Sequence, residues 1–154
     1  MRLHVVAVGK RLPAWAEQAC DDYVKRVRGD CSLQVHPVPS SRRGGKDPGP
    51  RIREEGAALL KAAPRSALLV ALMIDGDIWS TEQLAAQFTT WRDRERDVAF
   101  LIGGADGLSQ ACREAARHCW SLSSLTLPHA LARVVVVEQL YRAWSMSHGH
   151  PYHH

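Results

Sequence analysis

Three short, almost wholly apolar runs, at residues 3–8, 67–74 and 98–102, alternate with segments whose apolar residues recur at helical spacing. Runs of this kind read as strands buried on both faces, which a parallel sheet covered by helices provides. The longest, eight residues from Ala67 to Ile74, is far short of the roughly 20 that cross a bilayer. The expected fold class is therefore α/β, a parallel sheet flanked by helices in a three-layer sandwich.

The rest of the chain fits that frame. Residues 12–28 place Trp15, Ala19, Tyr23 and Val27 at steps of four, a helix stopped by Gly29. Residues 32–38 form a short strand whose Pro37 points to a sheet edge. Residues 40–50 (SSRRGGKDPGP) are a loop, and 51–63 a second helix. Asp75-Gly76 reads as a turn that ends the 67–74 strand. Ser80, with Gln83 three residues on, caps a helix whose buried face is Leu84, Phe88 and Trp91. A helix over 109–118, a short stretch over 120–127 and a long helix over 131–147 complete the pattern.

At 154 residues the chain suggests one domain, and its formal charge of +4 permits a polyanionic partner without demanding one. Its 45% hydrophobic and 23% charged residues exclude a disordered tail, a collagen-like fibre and a disulfide scaffold. None of the four cysteines (Cys20, Cys31, Cys112, Cys119) forms a CxxC pair, so reduced thiols are expected. The apolar start at residues 1–8 is too short for a secretory leader and is followed at once by Lys10 and Arg11. A soluble, cytoplasmic protein is expected.

Four segments carry candidate chemistry. The 98–102 strand runs into Gly103-Gly104-Ala105-Asp106-Gly107, where glycines let backbone N–H groups approach a ligand; a tight strand-to-helix turn reads equally well. The dinucleotide GxGxxG and the phosphate-binding GxxxxGK[ST] are both missing. In the second segment, residues 121–129, small hydroxyls alternate with leucines ahead of a helix, a stretch able to offer backbone donors and an apolar slot to an adenine ring. The alternative is an edge strand with capping hydroxyls.

The third is the last helix, where Val134, Val135, Val136 and Val137 put apolar side chains around the whole circumference. One face can meet the sheet and the other needs a partner, so a homodimer is expected. Arg133 and Arg142, nine residues apart, leave opposite faces of it. The fourth is the tail, with His148, His150, His153 and His154; no Cys, Asp or Glu lies among them, and no metal site is expected.

In order, LIGGADGL, WSLSSLTLPHALARV and EQLYRAWSMSHGHPYH resemble the small SPOUT methyltransferases of the RlmH group, which methylate N3 of a pseudouridine in 23S ribosomal RNA. The opening LHVVAVGKRLPAW and the SSRRGGKD loop extend the resemblance from residue 1 to about 153. It implies a single SPOUT domain over 1–154, with a trefoil knot over about 70–148 and a tail at 149–154. It implies S-adenosylmethionine held by Leu72, Met73 and the following turn, by Gly103 and Gly104, and by Ser123, Ser124, Leu125, Thr126, Leu127 and Pro128. It also implies a homodimer whose active site takes Tyr152 and His153 from one subunit and the cofactor from the other. Two departures stand out: Asp75-Gly76-Asp77 replaces a turn with a basic residue after its glycine, and His154 stands where Arg or Lys is expected.

The chemistry suits these residues. The imide nitrogen must lose a proton before it attacks, so a base, or a cation that stabilises the anion, would help. His129, Tyr152 and His153 are the candidate proton handlers, and Arg142 and Arg133 the candidate charge stabilisers or phosphate contacts. Lys10-Arg11, Lys25-Arg26-Arg28 and Arg42-Arg43-Lys46 offer an RNA footprint, whereas residues 92–97 alternate in sign and read as solvated charge. The modest net charge favours RNA in the assembled large subunit or 70S ribosome over free RNA. A non-catalytic ribosome- or RNA-binding module is the competing class.

Overall fold

The computed structural model describes residues 1–154. Five strands, β1 (Arg2–Val8), β2 (Ser32–Val38), β3 (Leu68–Ile78), β4 (Asp97–Ile102) and β5 (His118–Ser121), form one sheet in the order β2-β1-β4-β3-β5. Every neighbouring pair is parallel. β1 and β4 are central, and their apolar composition follows from burial on both sides: every residue of β4 is buried.

Along β1 the side chains alternate between two cores. Leu3, Val5 and Ala7 face a large one with Phe88, Trp91, Phe100 and Leu140. Val6 and Val8 face a smaller one with Leu59, Leu101 and Cys112. Helices α1 (Ala14–Arg26), α3 (Thr81–Arg94) and α5 (His129–Ser147) pack together over the first core; α2 (Gly49–Ala62) and α4 (Gln110–Ala115) cover the second. This is the three-layer sandwich. No helix is long and apolar enough to cross a membrane.

Several sequence expectations hold in detail. β2, with its Pro37, is an edge strand, and Ser80 builds a full capping box with Gln83. All four cysteines are free, and burial pushes the Cys31 thiol up to about 11. Others need correcting. Asp75-Gly76 does not end β3: after a register break between Leu72 and Asp77, the strand pairs again with β5 and runs to Ile78. Strand pairing there outweighs the turn preference of Asp-Gly, and Gly76 is required because a Cβ would lie 2.7 Å from the Cys119 backbone. The helix expected over 109–118 stops at Ala115, because Arg117 N–H bonds Leu69 O and His118 opens β5. Of the four valines in α5, Val136 and Val137 are fully buried and Val134 is half-buried against the large core, while Val135 is half-buried on the outer side.

Candidate active site

β4, β3 and β5 are adjacent and parallel, so the segments leaving their C-terminal ends emerge at one edge of the sheet. Open α/β sheets bind ligands at that edge. Leu72 and Met73 lie where β3 breaks register; Gly103 and Gly104 follow β4; Ser123 to Pro128 connect β5 to α5. The fold therefore gathers all three predicted cofactor segments.

Their local geometry is backbone-rich. The glycine loop closes on itself through Gly107 N–H to Gly104 O at 3.1 Å. It is packed so tightly that a Cβ on Gly103 would stand 2.6 Å from the Gly107 carbonyl carbon. In the third segment, Ser123 Oγ accepts from Leu125 N–H at 2.9 Å, and Ser121 Oγ donates to Ser123 O at 3.1 Å. Ser124, Leu125, Thr126 and Pro128 are exposed. Two large apolar side chains, Ile74 in the late part of β3 at 88% and Leu125 in the third segment at 74% exposure, leave apolar surface open.

His129, the first residue of α5, is half-buried next to this edge, with Nε2 2.9 Å from Arg133 Nη2. The same Nη2 donates to Gly9 O at 2.9 Å and Val8 O at 3.2 Å, tying the end of β1 to the start of α5. Arg133 is only 2% exposed, which excludes the phosphate contact the sequence left open for it. Its Nε finds no partner, and burial lowers its pKa. Burial and then the Arg133 charge lower the His129 pKa, opposed by a backbone hydrogen bond at Gly103. His129 is thus held neutral, with Nε2 accepting from Arg133.

Arg142 and Tyr152 form a separate cluster on the C-terminal half of α5, with His153 following in the tail. The tail is not frayed: Pro151–His153 make a 3-10 turn that folds back on α5 and α1. The Tyr152 ring packs on Tyr141 with centroids 4.5 Å apart, and its hydroxyl donates to Glu138 Oε1 at 3.1 Å. Arg142 donates to that oxygen from Nε at 2.9 Å and from Nη2 at 2.7 Å, and its guanidinium lies 4.9 Å over the Tyr152 ring. Burial, the Tyr23 hydroxyl and the Glu138 charge push the Tyr152 phenol well above its ordinary range, so it stays protonated. The Glu138 bond holds the Arg142 guanidinium in its charged form. His153 Nδ1 lies 2.6 Å from His150 O. Glu138, which organises the cluster, was not among the predicted site residues; its spacing of four from Arg142 is the signal that could have found it.

The predicted site residues therefore fall into two groups. Glu138, which holds Tyr152, is nine residues along α5 from His129, about 14 Å at 1.5 Å per residue. No bond within one chain joins the predicted cofactor segments to the tail.

The family model described as a predicted SPOUT methyltransferase matches residues 1–153. The chain belongs to the SPOUT methyltransferase family. The methyl donor of this family is S-adenosylmethionine. Among SPOUT relatives, the ribosomal RNA large subunit methyltransferase H of Thioalkalivibrio sulfidiphilus (strain HL-EbGR7) is 47% identical over 99% of both chains. The protein of the same name from Hahella chejuensis (strain KCTC 2396) is 48% identical over 99% of both. The SPOUT fold is matched by the crystal structure of TrmJ from Z. mobilis ZM4, with a TM-score of 0.52 and 18% identity, over 91% of this chain and 69% of that one.

Proposed function

We propose that this protein is an S-adenosylmethionine-dependent methyltransferase that modifies N3 of a pseudouridine in 23S ribosomal RNA, acting as a homodimer on the large subunit or 70S ribosome in the cytoplasm. The observation that carries this reading is the near-full-length likeness to two ribosomal RNA large subunit methyltransferases. Three segments leaving one edge of the sheet, with the exposed apolar side chains Ile74 and Leu125, support the cofactor site. Leu72, Met73, Gly103, Gly104 and Ser123 to Pro128 would hold it. We take the chain from about 70 to 148 to form a trefoil knot around it; β5 lies outside β3, away from β4, and α5 returns to pack on α1 and α3.

S-adenosylmethionine supplies an already activated methyl group, so the protein's task is to present the acceptor nitrogen in line and to favour its anion. Arg142 is the charge stabiliser, held in place by Glu138. Tyr152, protonated, offers a stacking face and a hydroxyl to the base, and His153 takes the imide proton. His129, neutral beside the glycine loop, presents no competing cation there. The two halves of this machinery meet only if a second subunit supplies its tail. The outer side of α5, with exposed Leu131, half-buried Val135 and the Glu138–Arg142 pair, is the surface for that subunit. Nucleotide-resolved mass spectrometry of 23S RNA from cells with and without the gene tests the proposal. A methylated pseudouridine present only with the gene is expected; identical RNA from both would refute it.

A further inference from the structure

The basic loop at residues 40–48 and the glycine loop are far apart in sequence, yet one face of α2 holds both. Arg51 and Glu55, one helical turn apart, share that face. Arg51 Nε donates to Asp106 Oδ2 of the glycine loop at 3.1 Å, and its Nη1 donates to Gly45 O of the basic loop at 2.9 Å. Glu55 Oε2 accepts from Ser41 N–H of the basic loop at 2.9 Å. The same carboxylate fills the space of a side chain at position 104: a Cβ on Gly104 would stand 3.0 Å from Oε1.

Glu55 is buried at 7% exposure with no cation bonded to it, whereas the other buried carboxylate, Asp97, is paired with Arg2 and His4. Burying an unpaired carboxylate is costly, and here the cost is borne at the junction of two loops. Glu54, on the exposed side, holds Arg43 at 2.6 Å and Ser41 Oγ at 3.2 Å. Arg42 and Lys46 make no ion pair and remain free for phosphate.

We propose that Arg51 and Glu55 are positioning residues that lock the basic loop to the glycine loop, so that seating RNA phosphates on the first sets the second for methyl transfer. The inference rests on reading the glycine loop as part of the cofactor cleft and the basic loop as an RNA contact. Its test uses the full-length protein, S-adenosylmethionine, and 70S ribosomes from cells lacking the gene. Arg51→Met, Asp106→Ala and their double variant are compared, with Glu55→Met as a second probe. Cofactor affinity of the free enzyme and thermal midpoint should stay near wild type, while kcat on ribosomes falls about fivefold or more. The double variant should fall no further than either single one, since both cut the same link. Losses that multiply, or a kcat within about twofold of wild type for both single variants, overturn the inference. A wild-type chain that binds no S-adenosylmethionine overturns the underlying reading and this inference with it.

Discussion

Deleting residues 150–154 separates the two halves of the proposed site without touching the sheet. The deletion removes the Tyr152–Tyr141 packing and the Tyr152 hydroxyl bonds to Glu138 and Tyr23. Such an aromatic pair contributes about 0.5–1.5 kcal/mol and each hydrogen bond a similar net amount, together about 1–4 kcal/mol. Domains are stable by about 5–15 kcal/mol, so the truncated chain should remain folded. Tyr152 is anchored at Glu138, nine residues or about 14 Å along α5 from His129, and makes no bond to the glycine loop, so S-adenosylmethionine affinity should stay close to wild type. Methyl transfer to ribosomes should fall at least about tenfold, a barrier increase of roughly 1.4 kcal/mol. A mixing experiment then decides where the tail acts. Gly103→Val should disable the cofactor loop, because its side chain would collide with the Gly107 and Leu108 backbone. Random re-pairing of tail-less and Gly103→Val chains makes about half the dimers heterodimers, each with one complete site. Methyl incorporation should therefore recover to about a quarter of the wild-type level. If native mass spectrometry shows heterodimers while activity stays at that of the parents, the cross-subunit site is wrong.

Val135→Glu, on the outer side of α5, should yield a folded monomer by light scattering with little turnover, whereas Val136→Glu, fully buried, should fail to fold because it puts an unpaired charge in the core; a dimeric, active Val135→Glu would refute the interface. Replacing both Arg42 and Lys46 by alanine should flatten the log–log salt dependence of ribosome binding by about 1.4–1.8, near 0.7–0.9 for each lost phosphate contact. Arg43→Ala, already paired with Glu54, should change the slope less, and equal slopes for all variants would exclude this loop from the RNA interface. Stability should fall with acid in two stages. Burial is the leading cause lowering the folded pKa of His36, His118 and His129, so the unfolded chain takes up protons first as pH drops below about 6.5 and gains on the native state. The Asp97 carboxylate, lowered chiefly by Arg2, contributes above the ordinary carboxylate range and loses that contribution only as pH falls below about 4. Urea midpoints that stay level between pH 7.5 and 5.5 would contradict the first stage.

Strands with buried apolar runs and helices with strong caps were legible from residue order alone. β1 and β4 read correctly because burial on both faces leaves an unbroken apolar string, and Ser80 read correctly because its partner Gln83 is local. Errors came where long-range pairing decides. Asp75-Gly76 has the local chemistry of a turn, and only β5 lying alongside keeps it within a strand. His118 joins β5 for the same reason. At the proposed site, the three segments were singled out as motifs, but that they leave one edge of the sheet depends on the strand order. Arg133 read as a candidate phosphate contact because nothing nearby in sequence shows that the Val8 and Gly9 carbonyls at the end of β1 bind its guanidinium. Glu55 was missed because its partners, Ser41 and the Gly104 backbone, lie 14 and 49 positions away in sequence.

The placement of the two groups on α5 constrains the partner more than either group does alone. His129 opens the helix beside the cofactor edge, and Arg142 and the tail close it, with Glu138 near the midpoint. Two copies packed antiparallel on their outer sides about a two-fold axis near Glu138 would set the start of each α5 beside the end of the other. Residue 129 of one would then lie opposite residue 147 of its partner and Arg142 opposite residue 134, which brings Arg142 to about 8 Å along the helix from the start of the facing α5 at both sites, against about 20 Å within one chain. A parallel pairing would leave the groups about as far apart as they are in one chain. The stripe of Leu131, Val135, Glu138 and Arg142, at spacings of three and four, runs straight enough along the helix to serve such a contact. Its central ion pair is only partly exposed already, so a partner would desolvate it further. That makes the Glu138–Arg142 geometry the feature most sensitive to assembly, and in the proposed dimer it would link subunit pairing to the setting of Arg142.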